Sequence, residues 1–122
     1  MTKEQALHNF FNSFDIVGYR ITSVPDDAIF PFLTYDAPIS SFEEDPASIT
    51  ANLYYYTESE SDPDAKAEEI RKRIGLGGIT LPCDGGFIWL KLGSPWCQSL
   101  VDETDKTIKR RYMNITAEYL TI

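Results

Sequence analysis

The chain has 122 residues, 43% hydrophobic and 13% aromatic, which suits one domain with a substantial core. Its formal charge of −8 opposes nucleic-acid binding by bulk electrostatics, and no apolar run approaches the roughly 20 residues of a membrane helix. No apolar stretch of signal-peptide form follows Met1, so the composition predicts a cytoplasmic protein with no membrane contact, in which Cys83 and Cys97 stay as small reduced thiols.

Thr2-Lys-Glu-Gln5 has the form of a capping box, and Leu7, Phe10, Phe11 and Phe14 follow at i, i+3, i+4 and i+7. This predicts a helix over 2–14 with an aromatic, core-facing stripe. Gly18, Pro25, Asp26, Asp27 and Pro31 mark residues 15–31 as an irregular connector, with a short strand at 18–23. Phe32 to Ala37 reads as a strand. Residues 40–46 form an acidic loop, too long for a tight turn, that projects and can carry contacts.

The centre of the chain is a strand over 48–58 that feeds a helix. Ile49, Ala51, Leu53 and Tyr55 fall on one face of the strand, and Thr50, Asn52, Tyr54 and Tyr56 on the other. Asp62-Pro63 opens the helix, with Asp62 as cap and Pro63 at the first position. Ala67, Ile70 and Ile74 make its apolar stripe, Glu68–Lys72 and Glu69–Arg73 are acid-first i,i+4 pairs, and Gly75 ends it.

A short apolar segment, 79–81, leads into a turn at 82–86 whose Asp-Gly is a strong hairpin signal. Phe87 to Leu92 is a strand, with Ile88, Leu90 and Leu92 on one face. Gly93-Ser-Pro95 then reverses the chain and Trp96–Val101 pairs back. Asp102–Asp105 turns again, and a last strand over 108–122 points Met113, Ile115, Ala117 and Tyr119 inward. The expected fold class is α+β: a mostly antiparallel sheet of about five strands with two helices packed on one face, in a single domain.

Reactive groups are few. His8, the only histidine, lies on the polar side of the first helix as a solvated residue. There is no P-loop and no nucleophile elbow, and Gly75-Leu-Gly-Gly78 reads as a helix stop. Asp102, Glu103 and Asp105 lack the spacing of a calcium loop and read as a polar turn, as do Glu43, Glu44 and Asp45. The sequence therefore predicts no catalytic residue, no cofactor and no metal.

Charge is unevenly spread. Residues 41–69 hold nine acids and one base, net −8, whereas 70–101 hold four bases and one acid, net +3. Two such patches are either complementary surfaces between copies or ordinary solvated faces. The sheet face away from the helices also looks aromatic, with Tyr54 and Tyr56 on one strand and Phe87 and Trp89 on another. It is either a partner site or a surface covered by a second layer from residues 15–47.

Several segments carry a resemblance to a known family: Asn52-Leu-Tyr-Tyr-Tyr-Thr-Glu-Ser59, the helix to Arg73-Ile-Gly75, Leu81-Pro-Cys-Asp-Gly-Gly-Phe-Ile-Trp-Leu90, Gly93-Ser-Pro-Trp-Cys-Gln98 and Asp102-Glu-Thr-Asp-Lys-Thr-Ile-Lys-Arg-Arg-Tyr112. Over roughly residues 30–122 the chain resembles small structural proteins of bacterial prophages, of the minor capsid or head–tail joining group. Its element order resembles tail terminators, whose subunits form hexameric rings. The resemblance implies a virion protein assembled in the host cytoplasm that contacts itself and other phage neck or tail proteins, while DNA passes without specific binding. The candidate subunit interface comprises Glu43, Glu44, Tyr54, Tyr56, Arg71, Lys72, Arg73, Trp89, Trp96, Lys109, Arg110 and Arg111. The competing expectation is a small cytoplasmic binding or regulatory domain that uses the aromatic sheet face.

Overall fold

The computed structural model describes all residues 1–122. The order of elements is α1 (Lys3–Phe11), β1 (Val17–Arg20), a single 3-10 turn at Ile21–Ser23, β2 (Phe32–Asp36), β3 (Ala47–Tyr56), α2 (Ser61–Ile74), β4 (Ile79–Cys83), β5 (Gly86–Val101) and β6 (Ile108–Thr121). The fold class is α+β. The strands form one six-stranded sheet in the order β1-β2-β3-β6-β5-β4, antiparallel throughout except for β1 beside β2.

The core lies between one face of this sheet and both helices. Leu33 and Tyr35 of β2, Ile49, Ala51 and Leu53 of β3, Ile88 and Leu90 of β5, and Met113, Ile115, Ala117 and Tyr119 of β6 are buried there. Phe10, Phe11 and Phe14 meet them from the N-terminal segment, and Ala67, Ile70 and Ile74 from α2. Phe11 stacks on Tyr35 at 4.6 Å between ring centroids. The strands take this face because their apolar residues alternate, and the helices because theirs recur every three or four positions.

The capping box of α1 forms as its spacing requires: Gln5 N–H donates to Thr2 Oγ1 at 3.1 Å and Thr2 N–H to Gln5 Oε1 at 2.8 Å. The helix stops at Phe11, three residues before the predicted end, yet Phe14 is still fully buried. Asn12 ends it and turns to β1. Its side-chain oxygen accepts from Gly18 N–H at 2.9 Å and its Nδ2 donates to Gly18 O at 3.1 Å. That two-point clasp imitates a neighbouring strand and occupies the outer edge of β1. Position 18 must be glycine, because a Cβ there would lie 2.6 Å from Phe11 O.

α2 begins two residues earlier than an Asp62 cap would dictate, and Asp62 is not its cap. Ser59 Oγ accepts Ser61 N–H at 3.1 Å, so a serine turn starts the helix at Ser61 and leaves Pro63 buried in the first turn. Pro63 costs nothing there, since the first four N–H groups of a helix have no intrahelical partner. Gly75 closes the helix at φ +75°, as its position predicts. The ion pairs on α2 are Lys66–Glu69 and Glu68–Arg71, both i,i+3, in place of the expected i,i+4 pairs.

The largest departure is β5. The chain does not reverse at Gly93-Ser-Pro95. β5 continues along β6 as one 16-residue strand, interrupted by a bulge in which Leu92 opposes Ile115 and the next paired residue, Cys97, opposes Met113. Asn114 Nδ2 donates to Pro95 O across the bulge at 3.0 Å. A Gly-Ser-Pro sequence carries the same local signal for a bulge as for a hairpin. The 14-residue partner β6, long enough to pair with both halves, decides between them.

Replacing Asn12 with Ala leaves Gly18 N–H and C=O without the clasp. A loss of about 1–3 kcal/mol in urea-unfolding stability is expected, with the fold unchanged by circular dichroism.

Candidate functional site

No group of three or more His, Cys, Asp or Glu side chains is placed to hold a metal ion. Cys83 and Cys97 are free thiols on β4 and β5, and burial pushes the pKa of each upward. His8 is exposed on α1, with Nδ1 3.2 Å from the Tyr35 hydroxyl. No helix is long and apolar enough to cross a membrane. The interface residues predicted from sequence fall unevenly on the surface.

Arg111 is the clearest correction. It was expected on a surface, but its side chain is 2% exposed. It sits on the inward face of β6 beneath the start of α2, where Nε donates to Asp64 Oδ1 at 3.0 Å and Nη2 to Glu60 Oε2 at 2.9 Å. Burial alone would lower its pKa, but the hydrogen bonds and charges of Glu60 and Asp64 outweigh that and the net direction is up. Arg111 therefore anchors α2 and is closed to a partner. The period-2 pattern contains the signal for this, because Arg111 shares parity with Met113, Ile115, Ala117 and Tyr119. Trp96 is likewise half-buried against the core.

The acidic loop is fastened rather than projecting freely. Tyr119 Oη donates to Pro38 O at 2.8 Å, Lys3 Nζ to Ser40 O at 2.6 Å, and Phe42 N–H to Thr121 O at 2.7 Å. Glu44 accepts from Ser40 Oγ at 2.7 Å and Ser41 Oγ at 3.0 Å, and these bonds hold its pKa below the usual carboxylate value. Glu43 and Asp45 are exposed, as is the Phe42 ring.

The basic end of α2 is open in part. Arg71 is engaged by Glu68, while Arg73 lies over the Phe14 ring at 5.0 Å with Nη1 3.3 Å from Ser13 Oγ. Lys72 is exposed and makes no ion pair. Lys109 Nζ donates to the neighbouring Lys106 carbonyl.

The outer face of the sheet answers the choice posed by the sequence with a division. At the β1–β3 side the connector does return: Tyr19 and Phe30 pack on Phe32, which stacks on Tyr54 at 5.0 Å. Tyr56 leans on Phe30 at 5.8 Å and is 62% exposed. Trp89 is half-buried, its Nε1 donating to Gly77 O at 3.0 Å under the Lys91 ammonium. Both helices lie on the opposite face, so no second layer of secondary structure covers this one.

Three buried polar atoms make no hydrogen bond within the chain: Thr34 Oγ1, Asn52 Oδ1 and Arg110 Nε. All three belong to neighbouring positions of the outer face, since Thr34 pairs with Asn52, Asn52 with Tyr112, and Arg110 with Tyr54. Arg110 also borders a recess of about 520 Å³ with Tyr54, Leu100 and Ile108, closed at one end by the Asp102–Thr104 turn. Asp102 is occupied by the Thr104 hydroxyl and by the N–H groups of Thr104 and Asp105, which hold its pKa down. The recess is lined by a guanidinium, a phenol, apolar side chains and the acidic turn with Asp102 and Glu103.

No family model matches the chain, and no curated protein matches it.

Two outcomes follow. Neutralising both acids, Glu60→Gln with Asp64→Asn, strands the Arg111 cation. It is expected to cost about 2–3 kcal/mol in denaturant unfolding, less than the ~3–5 of a fully enclosed pair because both carboxylates are more than half exposed. Burial raises the Tyr119 pKa from 10.0 to about 12. The unfolded chain therefore releases that proton first, and this contribution to stability, complete below pH 10, declines as pH rises towards 12. In Tyr119→Phe the decline should be shallower, with a remainder from Tyr35 and Tyr55, whose pKa values burial also raises.

Proposed function

We propose that this chain is a structural subunit of the head–tail junction of a bacterial prophage, of minor capsid or tail-terminator type, which works through contacts with copies of itself and with neighbouring neck or tail proteins. The observation that carries the reading is the outer sheet face. It combines an exposed aromatic edge at Tyr56 with the absence of any helix above it. A surface of this kind gains from being covered by another protein, and Tyr and Arg are the residues favoured at such contacts.

The separated charges support a heterologous contact, in which two different patches meet and rotation closes a ring. With Arg111, Arg71 and Glu44 engaged within the chain, the charged groups of the candidate interface that make no ion pair are Glu43 on the acidic side and Lys72, Arg73, Lys109 and Arg110 on the basic side. A net charge of −8 also suits a ring whose lumen DNA crosses without adhering.

Light scattering on the purified chain tests this. A multimer, or a concentration-dependent one, is expected, and Lys72→Glu with Arg73→Glu should weaken it by about tenfold or more, as should raised salt. Monomers at every concentration would favour the regulatory-domain reading. An assembly indifferent to salt and to these reversals would remove the electrostatic part.

A further inference from the structure

The sheet has a further free edge besides its two ends. β4 pairs with β5 only over Gly86–Leu90, whereas β5 runs on to Val101. From the bulge onward, the side of β5 away from β6 faces no strand. Its polar groups can be assigned. Asp102 N–H donates to Ile108 O, and bonding in an antiparallel ladder alternates every second residue. Leu100 and Gln98 therefore bond to β6, and the N–H and C=O groups of Cys97, Ser99 and Val101 point to the open side.

The two ends of the sheet, β1 and β4, are protected. Asn12 clasps Gly18 on β1. On β4, Pro82 removes a donor and Asp84 N–H is tied to Met1 O at 2.7 Å. Proteins defend unpaired edges with charges, prolines or cover, because an undefended edge pairs with other chains. Trp96-Cys-Gln-Ser-Leu-Val101 has neither a charged residue nor a proline, and Val101 is 52% exposed.

We infer that the open edge of β5, Cys97–Val101, is completed by the same edge of a second copy, paired antiparallel about a two-fold axis at Ser99. The choice of a second copy as occupant rests on the reading of the chain as a self-associating subunit, and two features of the edge specify the arrangement. The flanking charges, Asp102 and Glu103, lie at one end only. Antiparallel pairing sends the two acid pairs to opposite ends of the junction, whereas parallel pairing would set them side by side. With Ser99 on the axis, Cys97 faces the second copy's Val101, so each hydrogen-bonded pair joins residues whose polar groups point outward. The exposed Val101 side chain then meets a half-buried thiol on the helix side, and the outer row Tyr54–Arg110–Leu100 is extended by the second copy's Gln98. A junction of five residues buries less than the roughly 800 Å² per partner of a stable interface, so the dimer is concentration-dependent.

The test uses two variants. Ser99→Pro removes an N–H that points away from β6 and leaves the internal ladder intact. Light scattering and sedimentation should show dimers of the native chain at high concentration, insensitive to salt, and a shift towards monomer of about tenfold or more in Ser99→Pro. Val101→Cys in a Cys83→Ser background places the new thiol opposite Cys97 at roughly 5.5 Å between Cα atoms, within disulfide reach. Mild oxidation should give a covalent dimer whose linked peptides contain positions 97 and 101, and adding Ser99→Pro should abolish it. If Ser99→Pro does not fold, the cross-link decides alone. Absence of the 97–101 cross-link, or a dimer that Ser99→Pro leaves unchanged, overturns the inference. An assembly broken by Lys72→Glu with Arg73→Glu but not by Ser99→Pro would leave the charge-driven ring standing without this edge, and the reverse result would leave the edge without the ring.

Discussion

A sheet must do something with the backbone at its edges, and the architecture here follows from how this chain meets that demand. α1 contacts both β1 and β4, the first and last strands of the sheet, so one short helix serves two edges. Asn12, the residue that ends α1, supplies to Gly18 the donor and acceptor that a further strand would supply. The aromatic side chains of the same segment fill the concave face between those edges. Edge protection and core formation are thus carried by one stretch of about a dozen residues. It does not reach the tail of β5.

The two sheet faces divide the work. The inner face is apolar and spanned by both helices, with a single charged group, Arg111, held under α2 by two carboxylates at the surface. A buried cation in that setting contributes position more than net stability, since its desolvation offsets much of the attraction. It aligns the start of α2 with β6. The outer face is amphipathic along its whole length, partly roofed by Phe30 and Tyr19 and otherwise open. Of its three unpaired polar side chains, Arg110 alone lines the recess. The open outer face, the free edge of β5 and the separated charges are the features on which the proposed building-block role rests.

The strands and helices with strong periodicity were legible in the residues alone. The alternation in β3 and β6 identified Ile49, Ala51, Leu53, Met113, Ile115, Ala117 and Tyr119 as core, and all are buried. The α+β class followed from those periods and from the turn chemistry between them. The candidate surface was less legible. Glu43, Tyr56 and Lys72 are exposed as expected, whereas Arg111 is buried although its parity with Met113 pointed inward, and Glu44 and Arg71 are held by near neighbours. A charge on a strand reads as surface only until the element packed over it supplies partners, and the partners of Arg111 lie 47 and 51 residues away.

Sequence by itself determined which residues favour strand or helix, where the chain turns, and which face of each element is apolar, because these depend on neighbours within a few positions. Tertiary structure alone decided that Gly93-Ser-Pro95 is a bulge and not a reversal, that β1 lies parallel to β2, and that Arg111 is enclosed. Each of these depends on a partner distant in the chain: the length of β6, the return of the connector across Phe32, and the carboxylates at the start of α2. Local preference is nearly balanced at such points, and the long-range contact sets the outcome.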